Sequence, residues 1–210
     1  RRPPRSTLFP YTTLFRSYDD YVKSEKYVGD TSFTHFSNVF HQISGMTWGI
    51  VGLGNIGRRV ADIAKAFGCH VVYYSTSGRN SQPGYERVDF DTLLAKSDIV
   101  SVHAPLTDDT LGLMDKAAFE KMKKSAIFLN LGRGPIVNEA DLAQALMDGE
   151  LAAAGLDVLA QEPMSEDNPL RAIKDSNKLI ITPHIAWASV EARTNLMHII
   201  YSQIEEFFAN

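Results

Sequence analysis

From Trp48 onward, short apolar runs alternate with amphipathic stretches. Six runs predict strands: WGIVG (48–52), HVVYY (70–74), DIVSV (98–102), AIFLN (126–130), AAAGLDV (152–158) and KLIIT (178–182). Their near-continuous apolar character suits strands covered on both faces of a parallel sheet. Between the runs lie helical periods. Ile56, Val60, Ile63 and Phe67 fall on one helix face at spacings of four, three and four. Asn138 and Asp141 mark another helix start, an N-cap followed by an acid in the first turn. A last helix carries Leu196, Ile200, Ile204 and Phe207 on one face. Upstream, YDDYVKSEKY (18–27) reads as a polar helix leading into the loop VGDTSFTHFSNVFHQISG. Strand and helix alternating six times predict an α/β fold, a doubly wound parallel sheet of the Rossmann type.

Composition narrows the classes. A chain of 210 residues with 44% hydrophobic content is enough for one packed domain and too short for two large ones. A net charge of −4 gives no reason to expect nucleic acid or an anionic membrane as partner. The single Cys69 excludes an internal disulfide and fits a reducing compartment. No apolar run is long enough to span a bilayer, and Pro10 and several hydroxyls break up STLFPYTTLF as a leader, so the expected location is cytoplasmic. Residues 1–17 have neither helical nor alternating period, and they resemble, codon for codon, the translation of a common DNA-sequencing adapter. Set aside, they take four arginines with them, leaving 17 basic against 25 acidic residues, or −8.

Gly52, Gly54 and Gly57 form G-x-G-x-x-G. The pattern is weak alone, but here it follows an apolar strand, opens an amphipathic helix and leads to a second strand. Gly52 permits the tight turn, Gly54 lets backbone approach a pyrophosphate, and Gly57 allows close packing of helix on strand. The helix N-terminus adds free N–H groups and a positive dipole end. About 20 residues beyond such a turn an acid usually binds the adenosine ribose. Position 75 holds Ser75 instead, followed by Thr76, Ser77 and Arg79, with Asn80 and Gly84 in the same loop. A carboxylate there would repel a 2′-phosphate. Hydroxyls and a guanidinium can bind one, so NADP(H) is favoured over NAD(H).

Three residues follow strand ends, where open α/β sheets bind ligands. Arg133, between two glycines in NLGRGPIVN, can grip a carboxylate with two parallel bonds and polarise a neighbouring carbonyl. His184 in ITPHIAW is the natural acid/base near neutral pH. Glu162 in LDVLAQEPM can orient the imidazole and favour its charged form. Together they suit hydride transfer to a 2-keto acid. Trp187 can wall the pocket or pack at a helix start.

These motifs, in this order, resemble the D-isomer-specific 2-hydroxyacid dehydrogenases from Tyr18 to Asn210. The resemblance implies an NAD(P)-dependent oxidoreductase acting on CH–OH groups. It assigns carboxylate binding to Arg133, assistance of the histidine to Glu162, proton donation to His184 and the nicotinamide carboxamide to Asp157. It makes HAPLTDDT a cofactor-lining loop with His103, Pro105, Leu106 and Thr110, and adds Asn55, Ile56, Leu131 and Gly132 to the cofactor contacts. Ser75 departs from the family's NAD-specific pattern. YDDYVKS, FTHF, YYSTSG and TPHIAWAS are most similar to hydroxypyruvate reductases, also called glycerate dehydrogenases. That implies hydroxypyruvate or glyoxylate, with D-glycerate or glycolate, as substrate pair.

The same resemblance implies a division of the chain: 18–46 as interdomain helix and arm, 47–182 as the NAD(P)-binding domain, and 183–210 as the histidine loop and a helix returning toward a substrate domain. Most of that second domain, about 100 residues, is expected to be missing, so the chain is expected to bind cofactor and turn over poorly. A homodimeric parent protein is expected by analogy. The competing reading is a cofactor-sensing, non-catalytic binding protein of the same fold, similar to some transcriptional co-repressors. No peptide-binding surface marks the sequence for it. Short-chain dehydrogenases need a Tyr-x-x-x-Lys pair that is absent after the fourth strand.

Overall fold

The computed structural model describes residues 17–37, 40–79 and 81–209, the last without its side chain. The segment read as adapter-derived lies outside the described residues except for Ser17, as does Asn80. Residues 17–23 are helical (α1). The sheet then begins with β1 (Thr47–Val51), followed by α2 (Asn55–Ala66), β2 (His70–Tyr74), β3 (Glu86–Arg87) and α3 (Phe90–Lys96). It continues with β4 (Ile99–Val102), α4 (Lys116–Lys121), β5 (Ile127–Asn130), α5 (Glu139–Asp148), β6 (Ala153–Leu156) and β7 (Leu179–Ile181), and α6 (Val190–Ala209) closes the chain.

All seven strands are parallel, in the order β3-β2-β1-β4-β5-β6-β7. The order reverses between β1 and β4, which makes the crevice at their C-terminal ends the place for a dinucleotide. Side chains alternate between the two faces of the sheet. Val51, Val72 and Val100 enter one apolar cluster, beside Leu93, Phe119 and Leu142 of α3, α4 and α5. Ile50, Tyr73 and Ile99 enter the other, with Ala61 and Ala64 of α2 and Ile43 from the N-terminal segment. Burial on both faces is the reason the strands read as continuous apolar runs.

Two expectations need correction. The sheet has a seventh strand, because Glu86 and Arg87 pair with Val72 and Tyr73. A two-residue polar edge strand has no apolar run to announce it. The packing face of α2 also differs from the one its large residues suggest. Gly57, Ala61 and Ala64 are the buried residues, whereas Ile56 and Ile63 are 68% and 56% exposed. A Cβ on Gly57 would come within 2.2 Å of the Gly52 carbonyl oxygen, so the helix lies too close to the sheet for large residues at its start. Elsewhere the local signals match the structure. Asn138 accepts from the Ala140 and Asp141 amides as the N-cap of α5, and α6 forms with Leu196, Ile200, Ile204 and Phe207 all exposed.

Candidate active site

The glycine turn is fixed by close approach. Gly52 has φ 93°, and a Cβ there would lie 2.8 Å from both the N and Cα of Ala104. Only glycine combines that conformation with that contact. Gly54 is the N-cap of α2, with no side chain capping the helix and no acid in its first turn. A Cβ on Gly54 would meet nothing within 4 Å. An uncapped, positive helix end beside open space suits an anionic pyrophosphate. Leu106 and Leu131, after β4 and β5, are 42% and 44% exposed, apolar surface of the kind that can pack on a cofactor ring.

Two members of the 103–110 loop have other surroundings. The Thr110 hydroxyl donates to the Pro105 carbonyl at 2.7 Å and accepts from the Thr107 amide at 2.8 Å, so it holds the loop's shape. His103 Nε2 lies 3.1 Å from Ser101 Oγ, which accepts from the Trp48 indole N–H at 2.9 Å. The other ring nitrogen, Nδ1, is buried with no partner among the described residues. Burial pushes the His103 pKa down to about 4, so the ring is neutral at pH 7.

At the other side of the crevice, successive strands β5, β6 and β7 each end in a candidate residue. Arg133 follows β5 and is exposed, with Nη1 donating to the Gly132 carbonyl at 2.8 Å. Its turn is stapled by Asn130, fully buried, which donates to the Arg133 carbonyl and accepts from the Gly132 amide, both at 3.0 Å. Gly134 then lets the Leu159–Ala160 backbone pass where a Cβ would stand 1.9 Å from the Leu159 carbonyl. Glu139, in the first turn of α5, accepts from the Ala160 amide and the Asn168 side chain, both at 2.7 Å. The loop so held carries Glu162. One of its oxygens accepts from the Leu159 amide at 2.8 Å, and the other lies 2.7 Å from His184 Nδ1. The bond to His184, then that to Leu159, holds the Glu162 carboxyl below its ordinary range.

His184 takes a left-handed backbone, φ 53°, which a non-glycine residue adopts only when its surroundings impose it. Its amide donates to the Asp157 carbonyl at 2.9 Å and the Thr182 carbonyl at 3.0 Å. The Asp157 carboxylate accepts from the Thr182 hydroxyl at 2.5 Å and from the Ile185 and Ala186 amides at 2.9 Å. Burial alone would raise the Asp157 pKa. The Thr182 hydroxyl and the two amides outweigh it, so the pKa is lowered. Asp157 thus clamps the histidine loop, with one lone pair on Oδ2 left for a further donor. Thr182, Asn130 and Glu139 were not distinguished in the sequence, because their roles depend on partners far along the chain. On the β7 side a cavity of about 870 Å³, lined by both Glu162 and His184, continues along Met164, Ile173 and Ile181. Trp187 is 49% exposed.

The loop after β2 is placed differently. Ser75 is only 3% exposed, and its hydroxyl has no partner among the described residues. The Gly78 amide donates to the Ser75 carbonyl at 3.1 Å, closing a turn in which Ser77 and Arg79 are exposed and Thr76 is half-buried. The metal-ligating residue types form no cluster among the described residues, and no described helix is long and apolar enough to cross a membrane.

Comparison with known proteins identifies the family. Residues 7–186 match the family model "D-isomer specific 2-hydroxyacid dehydrogenase, NAD binding domain". A glycerate dehydrogenase of Methylorubrum extorquens is 38% identical over 205 residues, 98% of this chain and 61% of the relative. A hydroxypyruvate reductase of Blautia hydrogenotrophica is 42% identical over 79% of this chain and 51% of its own length. The chain therefore spans between half and two thirds of these two relatives. Among solved structures, an acyclic imino acid reductase in complex with NADPH and D-Arg superimposes with a TM-score of 0.79 at 31% identity, covering 93% of this chain and 60% of that one. With that match spanning the sheet and reaching past His184, the chain belongs to the D-isomer specific 2-hydroxyacid dehydrogenase family and carries its NAD-binding domain.

Proposed function

We propose that the protein reduces a small 2-keto acid to the D-2-hydroxy acid, and catalyses the reverse, with hydroxypyruvate or glyoxylate as the keto acid. The observation that carries this reading is the His184–Glu162 pair, 2.7 Å apart at the ends of adjacent strands. Glu162 stays a carboxylate and accepts from Nδ1, which directs Nε2 to exchange the proton with the substrate oxygen. Imidazolium gives that proton during reduction, and neutral imidazole takes it during oxidation. Arg133 turns its exposed guanidinium to the substrate carboxylate, exchanging its bond to the Gly132 carbonyl for a bidentate one. Asp157 keeps the histidine loop in place and accepts from the carboxamide of the cofactor. The bound nicotinamide supplies or receives the hydride. The names of the two relatives support the substrate class.

The cofactor in this reading is NADP(H) in preference to NAD(H). A hydroxyl stands at position 75 where a carboxylate would exclude a 2′-phosphate, and Arg79 is exposed in the adjoining turn. The imino acid reductase that shares the fold was solved with NADPH. The reading extends to a cytoplasmic dimer in which a substrate domain forms the other wall of the cleft, leaving this chain alone to bind cofactor and turn over poorly. The test is keto-acid-dependent oxidation of NADPH by the protein with its substrate domain. Hydroxypyruvate or glyoxylate should give the highest kcat/KM, and His184→Asn should lower kcat about 10²–10⁴-fold with cofactor affinity kept. Tight cofactor binding without turnover of any 2-keto acid would replace this reading with that of a cofactor-sensing binding protein.

A further inference from the structure

We infer that Arg87, on the edge strand β3, is a second determinant of cofactor choice and forms with Arg79 a pair of guanidinium groups that grips the 2′-phosphate of the adenosine ribose. The inference rests on the NADP(H) reading above and adds a residue that motif spacing does not reveal. Arg87 pairs in register with Tyr73, so the alternation of side chains puts it on the same face of the sheet as Tyr73 and Ser75. Its guanidinium reaches the turn that follows β2. Arg87 Nη2 stands 4.0 Å from the point that a Cβ on Gly78 would occupy, and Gly78 itself has φ 68°. The turn brings Arg79 next in sequence to that glycine, with the Arg79 amide donating to Ser77 Oγ at 3.4 Å.

The charge balance favours an anion. Neither guanidinium has an ion-pair partner among the described residues. The nearest acids in sequence are engaged elsewhere, since Glu86 faces Lys96 at 3.9 Å and Asp89 accepts from the Thr92 amide at 2.8 Å and the Thr92 hydroxyl at 2.6 Å. Under the turn lies the Ser75 hydroxyl, 97% buried and without a partner among the described residues. Buried polar groups are normally satisfied, so an orphan at this point marks an incomplete site. The rest of the loop is anchored: Gln82 donates to the Tyr73 hydroxyl at 3.1 Å, and Lys65 donates to the Gly84 carbonyl at 2.5 Å. The exposed part, 77–79, is therefore held at its base. Two forked cations above a hydroxyl floor suit a phosphate monoester dianion, which offers three strong acceptor oxygens.

The experiment is a competition titration of the purified chain with 2′,5′-ADP and with 5′-AMP, which differ only in the phosphate at issue. The wild type should prefer 2′,5′-ADP. Arg87→Ala should weaken 2′,5′-ADP about 10- to 100-fold, the loss of a charge-assisted contact, and leave 5′-AMP unchanged. Arg87→Lys should recover part of the loss, because charge returns without the fork. Unfolding curves for each variant identify any loss of fold, and the exposed position of Arg87 makes that unexpected. If Arg79→Ala removes the preference while Arg87→Ala and Arg87→Lys do not, the Arg87 inference fails and the NADP(H) reading stands. If the wild type binds both nucleotides equally, the NADP(H) reading fails and takes this inference with it.

Discussion

The two ends of the same crevice are built to different standards. At β5–β7 almost every polar group near the candidate chemistry has a partner. Asp157 ties three donors of the 182–186 segment, Glu139 ties the loop that carries Glu162, and Asn130 ties the Arg133 turn. At β2–β3, among the described residues, the turn after Ser75 is closed by one backbone bond, two guanidinium groups lack ion pairs, and a buried hydroxyl lacks a partner. Under the proposed function, the difference follows from what each end would do. Proton and hydride transfer tolerate little misplacement, so the groups that perform them are held by surrounding bonds before the substrate arrives. Reading a ribose substituent needs only complementary charge, which a loosely held turn can offer and completes when the ligand binds.

The sharpest way to break the comparison is to remove one polar group at each end. Asp157→Ala leaves the Thr182 hydroxyl and two backbone amides without their acceptor and frees a left-handed His184. It should cost about 3 kcal/mol in a denaturant titration, because three hydrogen bonds to a charged acceptor that is itself only 6% exposed are lost at once. Ser75→Ala removes a hydroxyl that has no partner among the described residues, so the folded state should be unchanged or more stable by about 1 kcal/mol. Equal losses at both ends would mean that the Ser75 hydroxyl is satisfied and that the ribose end is as fully bonded as the other.

His103 sits between the two ends and adds a pH signature. Its pKa is pushed down to about 4 by burial, from 6.5. Between those values the unfolded chain binds a proton that the folded chain refuses, so stability falls as pH drops from 6.5 toward 4 and is not restored below. The loss should reach about 2–3 kcal/mol, read from urea midpoints at pH 7 and 4.5. His103→Gln should flatten most of that slope. The lowered pKa of Asp157 acts in a separate window: its contribution is full above 3.8 and disappears as pH falls through its depressed folded value. A slope that survives His103→Gln between pH 7 and 4.5 would assign the proton uptake to another group.

What could be read from the sequence divides along the same line. The strands from β1 to β7, apart from β3, announced themselves because burial on both faces demands apolar runs. The glycine turn and the Asn138 cap are local, since the residues that need each other lie within a few positions. The His184–Glu162 pair was legible from strand-end placement and motif resemblance. Its supports were not. Glu139 reaches Ala160 and Asn168, 21 and 29 positions away, and the Asp157 carboxylate meets Ile185 and Ala186 at separations of 28 and 29. Such partners become visible only when the sheet brings strand ends together. Arg87 was hidden for another reason: a two-residue polar strand has no period to betray it.

The mildest effect belongs to α2, where the pattern of large residues and the packing disagree. Val60 and Phe67 pack partly on the cluster that holds Ala61 and Ala64, while Ile63 faces out, 56% exposed. Ile63→Gln removes little buried area and should change stability by less than about 0.5 kcal/mol. Ala64→Leu, one position on, forces a large side chain between helix and sheet at a residue only 1% exposed and should cost about 1–3 kcal/mol. The contrast tests whether the helix is set by its small residues, as its contact with the Gly52 turn requires. If Ile63→Gln proved the costlier of the two, the helix would be turned so that its large residues pack. Gly57 would then leave the sheet, and the phosphate-facing end of α2 would lose the close approach on which the crevice depends.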